Sequence, residues 1–314
     1  MGSLTEAVVL FGAGGFVGRN LVEAFAGRVP LLYGVTASGN PLPGTTRTFA
    51  FAGIAEIPPL PAETVVAAAA ARRHDARRFA REQSAILAHN SEIATRIYQF
   101  CAARGIGEVR LASSSAVYPA EWDVLDDERP LDLAAPPHKG EAGYAWSKRW
   151  AEIVADLHRR LYGINTLAFR LTNPYGPWDS LDPAAAHVAP AFAMKALRPG
   201  PLFEIAGDPE AERDFIYAAD VARVFALSLD RRGEHDSCNL ARGETSTVRQ
   251  LAEAAIAAAG TAKTIAVAAG PDRGVRMRRA TARKLRRLFD LPPFLGLEDG
   301  MRATVAWYRD ALAR

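Results

Sequence analysis

A tyrosine and a lysine stand four residues apart near the middle of the sequence, at Tyr144 and Lys148. On a helix this spacing places the two side chains on one face, one turn apart. A nearby ammonium group stabilises a phenolate and lowers the pKa of a tyrosine. The pair therefore predicts a group that exchanges a proton with a hydroxyl or a carbonyl near neutral pH.

Three serines end an apolar, strand-like run upstream of this tyrosine, and the middle one, Ser114, lies 30 residues before Tyr144. Ligands bind at the carboxyl ends of parallel strands. A hydroxyl at that place is expected to donate to the same oxygen that Tyr144 serves. A serine cluster that only caps the strand is the competing interpretation.

A glycine-rich turn, Gly12-Ala13-Gly14-Gly15-Phe16-Val17-Gly18, follows the first apolar run and leads into a helical pattern. Glycine in such a turn lets backbone amides approach a pyrophosphate at the helix N-terminus. The motif predicts a dinucleotide site only because a strand and a helix flank it, since an isolated glycine turn is weak evidence. The residues expected at the cofactor are Gly12, Gly15, Phe16, Val17 and Gly18.

The end of the second apolar run bears on the choice of cofactor. An acidic residue there holds the ribose 2′-hydroxyl of NAD, but the sequence has no Asp or Glu from Thr36 to Asn40. The hydroxyls of Thr36 and Ser38, with Arg47 nearby, are suited to a 2′-phosphate, which favours NADP. The alternative is NAD bound through the hydroxyls alone. Ala68, near the end of the third run, is also expected to contact the cofactor.

Apolar runs alternate with amphipathic helical segments, a pattern that predicts a parallel sheet covered by helices. After residue 173 the chain becomes rich in Pro, Gly and Asp, which indicates a smaller lobe entered and left more than once. The predicted strands are 7–11, 31–36, 65–69, 108–113 and 165–171. The predicted helices are 19–25, 81–104, 144–162, 248–259 and 297–312.

Composition restricts the partners. The formal charge of +3 is too small to argue for nucleic acid or a membrane surface and suits an anionic small molecule. Cys101 and Cys238 are the only cysteines, so we expect no disulfide framework, no metal cluster and a reducing cytoplasm. The sequence shows no cleavable leader pattern and no apolar run of membrane-spanning length.

Each of two basic clusters can be interpreted either as a binding site or as an ordinary solvent-exposed helix face. Arginines at 72, 73, 77, 78 and 81, with His74, follow the third predicted strand, and the first of them are candidates to overhang phosphates. The others are interpreted as a solvated helix face. The run from Arg276 to Arg287 contains apolar residues at helical spacing, which indicates an ordinary amphipathic helix rather than a nucleic-acid site.

Taken together, these motifs resemble the extended short-chain dehydrogenase/reductases that act on nucleotide sugars, over nearly the whole chain. The resemblance implies an α/β fold with a doubly wound parallel sheet (Rossmann) and a smaller mixed α/β substrate lobe. It divides the chain into 1–175, with a return around 214–245, and a lobe formed mainly by 176–314. The further stretches that carry it are Asn173-Pro174-Tyr175-Gly176-Pro177, Arg213-Asp214-Phe215-Ile216-Tyr217 and Asn239-Leu240-Ala241-Arg242-Gly243-Glu244.

The resemblance assigns roles to the catalytic positions. Ser114 corresponds to the catalytic serine and Tyr144 to the acid/base. Lys148 corresponds to the cation that holds the nicotinamide ribose, and Asn173 to a residue that orders the substrate.

The resemblance also implies contacts with the substrate's diphosphate. Arg213 corresponds to the arginine that grips it, for which a bidentate guanidinium is well suited. Either Arg273 or Arg276 is expected to supply a second contact. A surface ion pair with a neighbouring acid is the alternative for Arg213.

Positions at which this chain departs from the family pattern restrict which reactions of the family are expected. Dehydratases and decarboxylases of this family carry an acid just after the catalytic hydroxyl residue, where this chain has Ser115 and Ala116. The segment 183–190 resembles the GDP-fucose synthase branch, and His187 matches its proton-donating histidine. That branch has a cysteine where this chain has Ala116, so epimerisation lacks one partner. A packing histidine is an equal alternative for His187.

The sequence therefore favours an NADPH-dependent reductase acting at C4 of a 4-keto nucleotide sugar, with NADP preferred over NAD. The expected ligand is a nucleotide-diphosphate sugar, and the resemblance implies a homodimer formed through a helix bundle. A nucleotide-sugar 4-epimerase that retains its cofactor is the first alternative. A non-catalytic protein that senses a dinucleotide is the second.

Overall fold

A computed structural model describes residues 4–72, 81–268 and 277–314 of the chain. The strands are β1 Ala7–Phe11, β2 Leu31–Thr36, β3 Arg47–Ala50, β4 Thr64–Ala68, β5 Glu108–Ser114, β6 Val124–Leu125, β7 Asn165–Leu171, β8 Asn173–Tyr175, β9 Leu202–Ala206, β10 Glu212–Arg213, β11 Phe215–Tyr217, β12 Asp236–Leu240, β13 Ser246–Thr247, β14 Thr264–Ala268 and β15 Met277–Ala280. The α-helices are α1 Phe16–Phe25, α2 Gln83–Arg104, α3 Ala142–Tyr162, α4 Val188–Leu197, α5 Ala218–Ser228, α6 Val248–Ala259, α7 Arg283–Leu288 and α8 Leu297–Leu312.

The main sheet has seven strands in the order β12-β7-β5-β4-β1-β2-β3, and every pairing is parallel. Each residue of the central strand β1 is buried, because helices cover both faces. Val8 and Leu10 pack towards α1 and α5, whereas Val9 and Phe11 pack towards α2 and α3. The two covered faces confirm the predicted doubly wound α/β fold.

The strand order reverses at β1. Strands β2 and β3 follow on one side of it, and β4, β5 and β7 follow on the other. In open sheets of this kind, ligands bind in the crevice outside the carboxyl ends of the strands at the point of reversal. The glycine turn after β1 and Ser114 at the end of β5 lie at this edge.

A second core lies outside the main sheet, where α4, α6 and α8 pack with the parallel pair β9 and β14. A four-stranded sheet, β13-β10-β15-β6, and the pair β11-β8 complete this mixed α/β lobe. By contrast, α5 packs against α1 and β12 pairs with β7, so both extend the main sheet unit. The division into 1–175 with a return at 214–245, and 176–314, stays a prediction.

All five strands of the sequence analysis are present within one residue of their predicted ends. The two edge strands, β3 and β12, were not predicted, because neither is a continuous apolar run. The first helix begins at Phe16, three residues earlier than predicted, because the last part of the glycine turn is already helical.

In the described ranges, no helix combines the length and the apolar character that crossing a bilayer requires.

The close approach of α1 to the turn after β1 generates a prediction. A Cβ at Gly18 would lie 1.9 Å from the carbonyl oxygen of Gly12, and backbone atoms there have little room to move. We expect Gly18→Ala to lower the free energy of unfolding by about 1–3 kcal/mol, the usual cost of overpacking, and to weaken cofactor binding. Chemical denaturation and dinucleotide titration measure the two effects.

Gly107→Ala is the matched control, because a Cβ at Gly107 meets no atom within 4 Å. Equal stability of the two variants would contradict the packing argument.

Candidate active site

The predicted catalytic side chains meet where the end of β5 lies against the first turns of α3. Ser114 is the last residue of β5, and its Oγ accepts a hydrogen bond from the amide of Ala116 at 3.1 Å. Tyr144 lies in the first turn of α3 and Lys148 one turn later. The phenol of Tyr144 lies close enough to Ser114 for that side chain to lower its pKa. The structure thus brings together the serine, tyrosine and lysine that the sequence singled out.

The phenol of Tyr144 is held in its neutral form. Burial raises the pKa of Tyr144 to about 12, although the side chain of Ser114 lowers it. The expectation of a lowered pKa is wrong for the structure, because desolvation dominates and Lys148 is not among the groups that shift the pKa of Tyr144. The Lys148 ammonium lies 5.7 Å from the centre of the Tyr144 ring. At neutral pH the tyrosine is therefore a proton donor.

The ammonium of Lys148 is buried and donates a hydrogen bond to the carbonyl oxygen of Ala112 at 2.7 Å. Burial lowers the pKa of Lys148 to about 8, and the charge of Glu152 opposes that shift. Lys148 therefore titrates close to physiological pH.

A buried polar network behind these residues was not predicted. Glu152 receives a hydrogen bond from Ser113 at 2.5 Å and forms an ion pair with Arg170 at 2.7 Å. Arg170 also donates to the hydroxyl of Tyr118 at 3.1 Å. The sequence spacing could have identified Glu152, because it lies one helical turn beyond Lys148 and therefore on the same face of α3.

The glycine turn forms a narrow cradle at the N-terminus of α1. Gly12 has a φ of +83°, and its amide donates to the carbonyl oxygen of Val35 at 2.8 Å. Gly15 caps α1 without a side-chain hydrogen bond. Phe16 and Val17 form the first turn, where amides and helix dipole favour a phosphate. This geometry fits the pyrophosphate of a dinucleotide.

The residues predicted to hold a 2′-phosphate lie at the ends of β2 and β3 and in the turn after β2. Thr36 accepts a hydrogen bond from the amide of Gly39 at 2.9 Å, and Ser38 accepts one from the amide of Asn40 at 3.3 Å. Arg47, however, pairs in register with the residue three positions before Thr36. That offset is about 10 Å along the strand, and the guanidinium lies over the ring of Phe49, 4.6 Å from its centre. Phe49 itself pairs with Val35, next to Thr36, and a role for Arg47 at a 2′-phosphate stays a prediction.

A cavity lies between the carboxyl end of β4 and the helices α2 and α3, and Ala68, Asn90, Ser147 and Lys148 are among its lining residues. Asn90, which the sequence analysis missed, accepts a hydrogen bond from the amide of Arg72 at 2.7 Å. Its buried Nδ2 has no hydrogen-bond partner among the described residues. A donor of this kind, beside Lys148, is available to a ligand.

His187 forms a pair with a buried carboxylate. Its Nδ1 lies 2.7 Å from Oδ2 of Asp179, whose side chain is completely buried. The imidazole is half exposed and its ring centre is 6.0 Å from that of Phe16, at the start of α1. Nδ1 donates to the carboxylate, so Nε2 is the nitrogen left for a ligand. The structure places His187 beside the cofactor turn, and its catalytic role stays a prediction.

The residues predicted to bind substrate, Asn173 and Arg213, lie on β8 and β10. Asn173 donates from its backbone and side-chain nitrogens to the carbonyl oxygen of Asp214, both at 3.1 Å. The carboxylate of Asp214 is buried and accepts from the amide of Gly243 at 2.8 Å. Arg213 is half-buried and donates to the carbonyl oxygen of Glu212 at 2.7 Å. The candidates Arg273 and Arg276 lie outside the described residues.

The second basic cluster is balanced by acids. Arg283 pairs with Asp126 at 3.1 Å and Lys284 with Asp236 at 2.5 Å, and Arg287 pairs with Glu128. These pairs agree with an ordinary helix face. In the first cluster Arg72 contacts His89, and residues 73–80 lie outside the described ranges. Among the described side chains, no group of three or more His, Cys, Asp or Glu residues is placed to hold a metal ion.

Comparison with known proteins gives a family and a set of relatives. The model of the NAD dependent epimerase/dehydratase family matches residues 8–241. A dTDP-4-dehydro-6-deoxy-D-allose reductase from Streptomyces sp is 32% identical over 205 residues, 65% of this chain and 62% of that protein. A putative GDP-L-fucose synthase 2 from Oryza sativa subsp. japonica is 30% identical over 214 residues, 66% of this chain and 61% of that protein. The matches thus span less than two thirds of these relatives.

Solved structures share the fold across almost the whole chain. A UDP-N-acetylglucosamine 4-epimerase from Methanobrevibacter ruminantium M1, in complex with UDP-N-acetylmuramic acid, has a TM-score of 0.81 at 21% identity, covering 98% of this chain and 100% of that chain. A UDP-glucose 4-epimerase from Thermus thermophilus, in complex with NAD, has a TM-score of 0.79 at 22% identity, covering 97% and 99%. At these identities the similarity establishes the fold.

The burial of Lys148 generates a prediction about stability. The pKa of Lys148 falls from its ordinary value of 10.5 to about 8 in the fold, so charging it there costs about 3 kcal/mol. Lys148→Met removes that cost and the hydrogen bond to Ala112, which contributes about 1 kcal/mol. We expect the variant to be about 2 kcal/mol more stable at pH 7 and to bind dinucleotide less tightly.

The pH dependence follows from the direction of the shift. Between about pH 8 and 10.5 the unfolded chain holds the Lys148 proton more tightly than the fold does. The native protein therefore gains stability as pH rises through that window, and the advantage of the variant disappears. Denaturant unfolding at pH 7 and pH 10 measures this. A constant difference between variant and native protein contradicts the expectation.

Proposed function

The chain belongs to the NAD dependent epimerase/dehydratase family, and we propose that it is an NADPH-dependent reductase acting at C4 of a 4-keto nucleotide sugar. The observation that carries this proposal is the pairing of a neutral phenol, Tyr144, with the hydroxyl of Ser114 at the carboxyl end of β5. A reduction needs one proton for the carbonyl oxygen, and the phenol is in the state that supplies it.

Ser114, Tyr144 and Lys148 each have a separate role in the proposed reduction. NADPH, when bound, supplies the hydride that forms the new C–H bond at C4. Ser114 donates a hydrogen bond that orients the carbonyl, and the Tyr144 hydroxyl gives its proton to the oxygen. The buried ammonium of Lys148 stabilises the phenolate left behind, since an opposite charge in a dry site interacts strongly. The products are the alcohol and NADP⁺.

Two features of the site support reduction without elimination. Ser115 and Ala116 follow the catalytic serine, so that position supplies no carboxylate for removing water or CO2. His187, held by Asp179, is the candidate that the sequence offers for a second proton-transfer group. The similar Streptomyces protein is a 4-keto sugar reductase by name, which agrees with the proposal.

For the ligands, we propose that Arg213 and Arg273 contact the diphosphate while Asn173 orders the sugar. The preference for NADP rests on the hydroxyls of Thr36 and Ser38 and on the lack of an acid in the sequence from Thr36 to Asn40. A 2′-phosphate carries a charge that a carboxylate there would repel.

The test is the stoichiometry of cofactor consumption. With a 4-keto nucleotide sugar, we expect one NADPH to be oxidised per alcohol formed, measured by loss of absorbance and by product mass. NADPH is expected to give the lower Michaelis constant in parallel assays with NADH. Interconversion of C4 epimers without net oxidation of the cofactor would contradict the reductase proposal and support a 4-epimerase.

Tyr144→Phe removes the proton donor and keeps the ring. We expect this variant to lose at least about 100-fold in turnover, the usual contribution of a general acid, while binding the cofactor nearly as before. Full activity of the variant contradicts the mechanism. A native protein that binds dinucleotide but turns over no 4-keto or 4-hydroxy nucleotide sugar favours the sensing alternative.

We also propose that the chain forms a homodimer through α3. Trp146, Trp150, Leu157 and Leu161 have exposures of 38%, 41%, 42% and 70%, and their spacing places them along one side of the helix. An apolar strip of this kind suits an isologous contact with a second copy, in which the same face meets itself.

Replacing both Leu157 and Leu161 by Glu is expected to convert the dimer to a monomer, because the contact would bury four like charges. Light scattering after size exclusion measures the mass. Leu312→Glu, on the exposed end of α8, is the control and keeps the dimer. Monomeric native protein, or a double variant that stays dimeric, contradicts this interface.

A further inference from the structure

Glu152 extends the catalytic face of α3 by one more turn. Tyr144, Lys148 and Glu152 recur at intervals of four residues, so all three project towards the sheet. The side chain of Glu152 is only 13% exposed. A carboxylate at such depth requires partners, and its contacts show what it is joined to.

Both oxygens of this carboxylate are occupied by groups from the neighbouring strands. Oε1 accepts from Ser113 Oγ at 2.5 Å and from Arg170 Nε at 3.0 Å. Oε2 accepts from Arg170 Nη2 at 2.7 Å. Ser113 immediately precedes Ser114 on β5, and Arg170 is on β7. One side chain therefore joins the helix that carries Tyr144 and Lys148 to the strand that carries Ser114.

The network continues away from the site. Arg170 also donates to Tyr118, whose hydroxyl donates to Asn239 Oδ1 on β12 at 2.8 Å. The position of Glu152 is thus fixed from three strands of the main sheet. A bidentate guanidinium allows little rotation of the carboxylate it binds.

Glu152 also bears on the charge of Lys148. Burial favours the neutral amine, and Glu152 is the charged group whose field opposes it. Among the described residues, Tyr144 on the same helix and Tyr98 on α2 are the titratable groups that contact Lys148 or line the same cavity. Both phenols are neutral at physiological pH, and burial raises the pKa of each further. Arg170 is bound to Glu152 and is not among the groups that shift the pKa of Lys148.

We propose that Glu152 is a positioning residue, which holds Ser114 and Lys148 in register across β5 and α3 and keeps the Lys148 ammonium charged where the cofactor binds. The inference rests on the proposed function only in assigning Lys148 to the cofactor. Nothing in the sequence motif requires an acid at this position, and its role follows from the contacts.

The experiment measures NADPH affinity by fluorescence titration from pH 6.5 to 9.5. Native protein is expected to lose affinity as Lys148 deprotonates, with a midpoint near its pKa of about 8. Glu152→Gln keeps an oxygen acceptor but removes the charge. We expect it to move the midpoint lower by about one pH unit, the size of a typical effect of a nearby charge.

Asp156→Asn is the matched control. Asp156 lies one turn further along α3, is half exposed and pairs with His235 at 2.8 Å, so neutralising it should leave the midpoint unchanged. Equal loss of affinity at every pH in Glu152→Gln shows a merely structural role and overturns the proposal. A native affinity that is flat across the range overturns it as well.

A second variant covers the case in which Glu152→Gln folds poorly because Arg170 is left unpaired. Glu152→Gln combined with Arg170→Leu removes both buried charges. The midpoint should still move lower, because Glu152 raises the pKa of Lys148 whereas Arg170 is not among the groups that shift it. No shift in the double variant overturns the proposal. Because binding is measured rather than turnover, the result is separate from whether the chain is a reductase or an epimerase.

Discussion

The packing of the end of β5 against the first turns of α3 is the constraint on which the site depends. It places Ser114 beside Tyr144, and it leaves Lys148 and Glu152 with little access to water. A Cβ at Gly143 would lie 2.1 Å from the carbonyl oxygen of Gln83, so a glycine there lets α3 begin tightly against α2. Arg149 of α3 also holds the segment that follows β5, because it donates a hydrogen bond to the carbonyl oxygen of Val117 at 2.8 Å.

Burial, rather than the attraction between neighbouring charges, sets the protonation states in this packing. The same desolvation raises the pKa of Tyr144 and lowers that of Lys148. Each group is therefore brought towards its neutral form. A neutral phenol suits proton donation, but a neutral amine would not stabilise the phenolate that remains. The negative charge of Glu152, one turn away, favours the charged form of Lys148. This effect offers a reason for an acid at a position where its own burial is costly.

Sequence reasoning succeeded where chemistry depends on local spacing. The glycine turn and the interval from Tyr144 to Lys148 each lie within one or two elements, so their geometry follows from helix and strand periods. It failed where distance across the fold decides the outcome. The pairings of Glu152 with Arg170 and of His187 with Asp179 were missed, because a sequence does not state which polar side chains meet once buried.

The loop that carries Trp178, Asp179 and His187 contacts helices of both the main sheet unit and the lobe. Trp178 has a φ of +71°, a conformation that a large side chain adopts only when its surroundings enforce it. Its indole donates to Glu23 on α1 at 2.8 Å and packs on Trp307 of α8, with ring centres 5.2 Å apart. One residue is therefore fixed by the helix that begins at the cofactor turn and by a helix of the lobe. Because Asp179 follows it directly, the carboxylate that pairs with His187 is positioned by contacts with both helices.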